Sequence, residues 1–384
     1  MIATGLSVLA LLAWGYLLFA RGGFWLACDT DRHDQPPAPR VWPSVTAVVP
    51  ARDEVDVIAT SITSLLSQDY PGPFRVILVD DDSSDETAAA ALAAAEQAGA
   101  QGRLEVLHGA RLAPGWTGKL WAVSQGVAHA EADAPKYLLL TDADIAHTPD
   151  NLASLVARAE GNGLALTSLM ARLHCATWPE RMLIPAFVFF FQMLYPFRWV
   201  NDPARRTAAA AGGCMLANRE ALAAAGGVAA IRDALIDDCA LGAVMKRQGP
   251  IWLGLTTRAR SLRPYRTVGA IGRMISRSAF AQLEYSALAL AGTLAALLVI
   301  FVAPPALTLF ADGLARGAGW LAWIAMIIAF QPMLGFYDRS PYWGVALPAL
   351  GAIYAAFTLQ SAIDVWRGAG GMWKGRAQAQ ARPA

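Results

Sequence analysis

The chain has 384 residues, a net charge of +1, 55% apolar residues and only 16% charged ones. So even a balance supplies no global basic field for nucleic acid. The shortage of charge, against about 25% in an ordinary soluble domain, is local: residues 1–20, 285–311, 317–337 and 340–363 carry none, while the middle of the chain is ordinarily charged. This excludes a polytopic channel and leaves an α/β domain of ordinary size between membrane segments.

Residues 2–20 are an apolar run just long enough to span a bilayer. No Lys or Arg precedes it and Arg21 follows it directly, which argues against a cleaved signal. Arg21, Arg32 and Arg40 place its C-terminal side in the cytosol. Residues 21–44 read as a linker, with Gly22-Gly23, Pro36-Pro37, Pro39 and Pro43.

Strands then alternate with helices. Residues 45–49 (VTAVV) form a strand stopped by Pro50, and 58–66 have helical spacing. Residues 74–79 (FRVILV) form a second strand that ends in Asp80-Asp81-Asp82-Ser83. An Ala-rich helix follows over 85–97, with Ser84 or Asp85 as its cap. Residues 104–107 are a strand, 120–130 a helix and 137–140 (YLLL) a strand that ends in Thr141-Asp142-Ala143-Asp144; 149–159 are helical and 164–169 extended. The alternation, with near-continuous apolar strands, predicts a parallel sheet covered on both faces, with ligands beyond the strands' carboxyl ends. Both acidic clusters fall at such ends and so converge in space. The uncharged segment 182–197 reads as an interfacial helix, an acceptor wall or a core helix. Cys28, Cys175, Cys214 and Cys239 make no CxxC pair and no zinc spacing, and are expected as small buried hydrophobes in a reducing compartment.

The chemistry lies in the acids. Asp142 and Asp144, one residue apart on a turn, are hard oxygen donors for Mg²⁺ or Mn²⁺ bridging to substrate phosphates, or else a solvated turn. Asp80 and Asp81 repel each other and Asp82, so some of them must meet donors, for example a uracil N3–H. Asp237 and Asp238 open an apolar helix, as a cap or as a general base. Arg273 and Arg277 share a helix face before the membrane segments and suit either a departing diphosphate or lipid headgroups. Gly118-Lys119 fails as a phosphate loop, since Leu120 stands where a Ser or Thr is needed.

Taken in order, VVPARDE, VDDDSSDET, TGKLWAVSQG, TDADI, GGCMLANREAL and LIDDCALG resemble the inverting family-2 glycosyltransferases of GT-A fold, over roughly residues 45–280. The membrane layout and RMISRSAFAQL are similar to the ceramide-glucosyltransferase-like branch, and within it to the hopanoid-biosynthesis-associated enzymes. The resemblance implies an α/β GT-A nucleotide-sugar-binding domain, a Rossmann-like mixed sheet, flanked by transmembrane helices. It implies donor binding by Asp80, Asp81, Glu54, Lys119 and Asp142, a divalent cation on Asp142 and Asp144, and catalysis by Asp238 as base with Asp237 and Arg277. Asp237 stands where the family has Glu. In the family's (Q/R)xxRW motif Arg277 matches, while Met274 and Ser278 replace the first and last positions.

The implied partners are a UDP-sugar donor, a lipid acceptor and the bilayer, with no nucleic acid. The implied location is the bacterial inner (cytoplasmic) membrane, multi-pass, with the catalytic domain in the cytosol. The expected division is an N-terminal transmembrane helix (1–20), a linker (21–44), the glycosyltransferase domain (45–280) containing the interfacial segment 182–197, a C-terminal transmembrane region (281–366) and a basic tail (367–384). The rivals are a processive polysaccharide synthase of the same fold and a non-catalytic nucleotide-binding transport or scaffold protein. Four spans would put both termini outside, whereas Arg367, Lys374, Arg376 and Arg382 favour an inside tail. Either one C-terminal segment is re-entrant, or 285–311, broken at Pro304-Pro305, does not cross once.

Overall fold

The computed structural model describes residues 2–32 and 36–368, with the backbone of 372–373 and 376–377. Of the basic tail, Lys374 and Arg382 lie outside the described residues. The described chain divides into two compact units. One takes residues 29–174 and 199–263, the other 2–28, 175–198 and 264–368.

In the first unit, β1 (Val45–Ala51), β2 (Phe74–Asp80), β3 (Leu104–His108), β4 (Tyr137–Thr141), β5 (Ile145–His147), β6 (Leu166–Arg172), β7 (Cys214–Asn218) and β8 (Ile251–Ser261) form one sheet, in the order β3-β2-β1-β4-β7-β6-β8-β5. The strands from β3 to β4 run parallel, and β6 is parallel to β8. β7 is antiparallel to both β4 and β6, and β5 to β8. The sheet is therefore mixed, as the family resemblance implies, and not uniformly parallel, as the alternation alone predicts.

Both faces are covered. Every residue of β1 and of β4 is buried. Ile58, Ile62 and Leu65 of the helix Val55–Leu66, and Leu152, Leu155 and Val156 of the helix Asn151–Asn162, join Val49, Leu78 and Leu139 in one core. The helix Gly118–Ala130 lies against the sheet so closely that a Cβ on Gly126 would stand 2.5 Å from Val48 Cγ1.

β1 runs past Pro50, where the sequence predicts a stop. Val45 N–H donates to Pro73 O, and Asp81 N–H donates to Ala51 O, so the odd-numbered residues of β1 face β2 and Pro50 faces β4. The ladder with β4 ends at Val48, so no partner waits for the missing N–H. Part of the expected linker is also fixed to this unit. Thr30 bridges to Leu255 of β8. The buried Asp31 accepts from Thr256 Oγ1 at 2.6 Å and pairs with Arg258 at 3.2 Å.

The second unit is helical. Ile2–Phe19, Ala287–Phe310, Gly313–Phe336 and Pro341–Trp366 are each long and apolar enough to cross a membrane. Pro304 and Pro305 do not break the second of these. The chain passes from the helix Ala287–Leu297 through a π turn, Leu298–Val302, into the helix Ala303–Phe310. A proline removes the donor for the carbonyl four residues back, and a π turn shifts that demand by one residue. For Ile300 both positions are prolines. Its carbonyl instead accepts the indole N–H of Trp14 at 2.8 Å. Small residues let these helices touch, as is usual in membranes: a Cβ on Gly319 would stand 2.9 Å from Pro304 O, and one on Gly351 2.5 Å from Phe301 Cγ.

Residues 182–194 of the segment 182–197 belong to the helix Trp178–Leu194, whose Phe189 and Phe190 are buried against Phe24, Phe330, Phe301 and Tyr354, as in the core-helix reading. Glu180 closes the start of this helix in a capping box with Thr177. Four aromatic neighbours leave those rings no lipid or acceptor to meet. Of the cysteines, which are all free, Cys214 and Cys239 are buried as expected, whereas Cys28 is exposed.

Candidate active site

In the sheet unit, the acidic run after β2 is held by neighbouring backbone and hydroxyls. Asp80 Oδ1 accepts from Ser83 N–H at 3.2 Å and from the Ser83 hydroxyl. Ser83 Oγ in turn accepts from Asp53 N–H at 3.0 Å, and Asp53 Oδ1 accepts from Ser84 N–H at 2.7 Å. Arg52 donates to the carbonyls of Asp81 and Asp82. Asp80 and Asp81 are buried. The N-cap of the helix Thr87–Gln97 is Glu86, not the expected Ser84 or Asp85, and its side chain makes no capping bond; Asp85, one residue earlier, accepts from Thr87 N–H at 3.0 Å.

Lys119 organises the next cluster. It enters from the first turn of the helix Gly118–Ala130, capped by Thr117. Its ammonium stands 2.8 Å from Asp142 Oδ1 and 3.0 Å from Asp237 Oδ2. Burial works against the charge on Lys119, but Asp142 and Asp237 outweigh it and hold the ammonium firmly protonated. Asp142 titrates above the ordinary carboxyl range, because burial and the Asp144 and Asp237 charges oppose its ionisation more than Lys119 favours it. A pocket lined by Pro50, Lys119, Thr141, Asp142, Gly212 and Asp237 opens here. Lys119, which fails as part of a phosphate loop, thus stands between Asp142 and Asp237 at the strand ends.

Asp237 and Asp238 begin the helix Asp237–Lys246 and part company at once. Asp237 takes Lys119. Asp238 accepts Gly212 N–H at 3.0 Å on Oδ2 and Cys239 N–H at 2.7 Å on Oδ1. Its pKa is pushed up to about 6 by burial and by Asp237, against Lys119 and these two N–H donors. A carboxylate so tuned is poised as a base near neutrality.

Asp144, the second acid of the DxD turn, meets a residue that the sequence does not flag. Arg263 Nε donates to Asp144 Oδ2 at 3.0 Å, and Arg263 Nη2 donates to both oxygens of Glu54, at 2.5 and 2.6 Å. Glu54 N–H donates to Thr87 Oγ1 at 2.8 Å, so Glu54 joins the DxD turn to the Asp80 segment through its neighbour Asp53. Arg263 is 119 and 209 residues from its two partners, and no local pattern announces it. Among the described residues, no group of three or more His, Cys, Asp or Glu side chains is arranged to hold a metal. Asp142 and Asp144 nevertheless fit a hard divalent ion, which takes one or two carboxylates and completes its shell from substrate phosphates and water.

Beneath the turn runs a directed relay. Thr141 Oγ1 donates to Gly213 O at 2.7 Å, so His147 Nε2 must donate to Thr141 Oγ1, at 3.1 Å. His147 Nδ1 then accepts from Asn151 Nδ2 at 2.9 Å. Burial lowers the His147 pKa to about 4 and keeps the ring neutral. The relay ties the DxD turn to the Gly212-Gly213 loop that serves Asp238. Arg273 and Arg277 lie on the helix Val268–Ala279, in the helical unit.

Residues 46–225 match the family model described as glycosyl transferase family 2. The fold is similar to that of a mannosyltransferase, PcManGT, from Pyrobaculum calidifontis, solved with GDP-Man and Mn²⁺, at 19% identity over 95% of this chain and 99% of that chain, with a TM-score of 0.58. Glucosyl-3-phosphoglycerate synthase from Mycobacterium tuberculosis, solved with Mn²⁺, UDP and phosphoglyceric acid, is similar at 18% identity over 67% of this chain and 86% of that chain, with a TM-score of 0.44. At such identities the common property is the fold. A search of curated proteins finds no match. The strand-end carboxyls and most of the mixed sheet that carries them lie within the stretch that matches the family model, so the chain carries a family-2 glycosyltransferase domain of GT-A-like fold.

Proposed function

We propose that the enzyme moves a sugar from a UDP-sugar to a membrane lipid, in the finer reading a hopanoid, with inversion at the anomeric carbon. The observation that carries the reading is the split between the two neighbouring acids: Asp237 is neutralised by Lys119, while Asp238, at a pKa of about 6, is left to act as a base. Asp238 takes the proton of the acceptor hydroxyl as its oxygen bonds to the anomeric carbon. The bond to the nucleoside diphosphate breaks on the opposite face. Asp80 and Asp81 bind the uridine, and Lys119 and Glu54 line the donor side. Asp142 and Asp144 hold Mg²⁺ or Mn²⁺, which when bound offsets the charge of the diphosphate. Arg277 assists the leaving group. Four apolar helices keep the enzyme at the bilayer, which favours an acceptor that lives there.

The test is incubation of membranes containing the protein with a panel of labelled nucleotide sugars, followed by solvent extraction. Label in a lipid fraction, from a UDP-sugar and with metal present, is the expected result. Label in an insoluble polymer would replace this reading with a processive synthase. Binding without any transfer would replace it with a non-catalytic nucleotide-binding protein.

A further inference from the structure

Arg263 holds a position that a divalent ion must contest. It follows β8, and the residue before it is secured to the DxD turn, since Leu262 N–H donates to Asp144 O at 2.7 Å. The guanidinium then spans two carboxylates, with Nε on Asp144 and Nη2 on both oxygens of Glu54. Charge-assisted bonds from one planar group fix its place and direction. Both acids raise its pKa in spite of burial, so the group stays charged. A metal ion that binds Asp144 through Oδ2 needs the space and the lone pair that Nε occupies. A guanidinium and a dication also repel each other across that oxygen.

We propose that Arg263 is the resident countercation of the DxD turn, and that the metal displaces it from Asp144 only when it arrives with the nucleoside diphosphate. The diphosphate makes the exchange favourable in two ways. Its negative charge offsets that of the ion, and it offers the released guanidinium, still held on Glu54, a new acceptor. Free metal therefore binds weakly, and metal and donor enter as one. The proposal rests on the metal-dependent reading of this site.

The test is Mn²⁺ binding to the full-length protein in detergent, read by electron paramagnetic resonance with and without UDP. The unaltered protein should bind Mn²⁺ at least about tenfold more tightly with saturating UDP than without it, a difference of about 1.4 kcal/mol. Arg263→Gln should bind free Mn²⁺ roughly tenfold more tightly than the unaltered protein. Arg263→Lys keeps a cation beside Asp144 and should stay within about threefold of the unaltered protein. Equal affinity with and without UDP in the unaltered protein overturns the proposal without recourse to any variant. So does an unchanged free-Mn²⁺ affinity in Arg263→Gln. Asp144→Ala separates the two layers. If it keeps its Mn²⁺ affinity in UDP, the metal site itself is misplaced. If it loses that affinity while Arg263→Gln behaves like the unaltered protein, only the role of Arg263 falls.

Discussion

Asp237 and Asp238 are neighbours in the chain with opposite surroundings, and their substitutions should differ accordingly. Asp238→Asn keeps the shape and removes the proton acceptor. Turnover should fall by about 10²–10⁴-fold, while UDP-sugar affinity, measured by calorimetry, stays within error. Asp237→Asn leaves Lys119 with Asp142 as its remaining acid partner and should be milder. A dead Asp237→Asn beside an active Asp238→Asn would reverse the assignment. The base must be ionised to work, so the rate should fall as pH drops through about 6, where Asp238 protonates under the combined influence of burial, Asp237, Lys119 and the Gly212 and Cys239 N–H groups. The sign for stability is the reverse. The folded pKa lies above the ordinary carboxyl value of about 3.9, so ionisation of Asp238 opposes folding, and its contribution is lost as pH rises from about 4 through about 6. A pH–rate profile with no acid limb in Asp238→Asn's residual activity, set against one in the unaltered enzyme, checks the assignment.

At the scale of elements, the loop 209–212 is positioned by a glycine. A Cβ on Gly242, in the same helix as Asp238, would lie 2.7 Å from the Ala209 carbonyl carbon, which is backbone and has little room to give. Gly242→Ala should cost about 1–3 kcal/mol of stability. It should also draw the Gly212 N–H away from Asp238 and move the acid limb of the pH profile upward; an unmoved limb would show that the loop does not tune the base. In the helical unit, Trp14→Phe keeps the ring and strips Ile300 O of its donor. About 1–3 kcal/mol should be lost, seen as a lower denaturation temperature in detergent. Much of this architecture is legible in sequence because it is local. The acids at strand ends follow from the strands, and the spans follow from uncharged runs. The direction of β7 is not legible, since no periodicity encodes which way a strand returns. Nor is the burial of Phe189 and Phe190, because an apolar helix reads the same toward lipid or toward protein. Lys119 is visible as a failed phosphate loop and through the family resemblance, but not its ion pairs, and Arg263 is not visible at all, because their partners lie far away in the chain.

For the whole molecule, the four long apolar helices should keep the full-length protein in the pellet after alkaline carbonate extraction. Release into the supernatant would refute the membrane assignment. Removal of residues 1–20 should weaken the anchoring without abolishing it, since three further helices remain. That first helix is nevertheless more than a handle, because Trp14 reaches Ile300 across 286 residues of chain. Ribosomes add about 5–20 residues per second, so the first helix is made roughly 15–60 s before the carbonyl it serves. It must therefore rest in the bilayer alone for that time, which its lack of charge permits. The bond from Trp14 can close only after Ile300 has been made, so the step that locks the first helix to its partner follows its insertion by that interval.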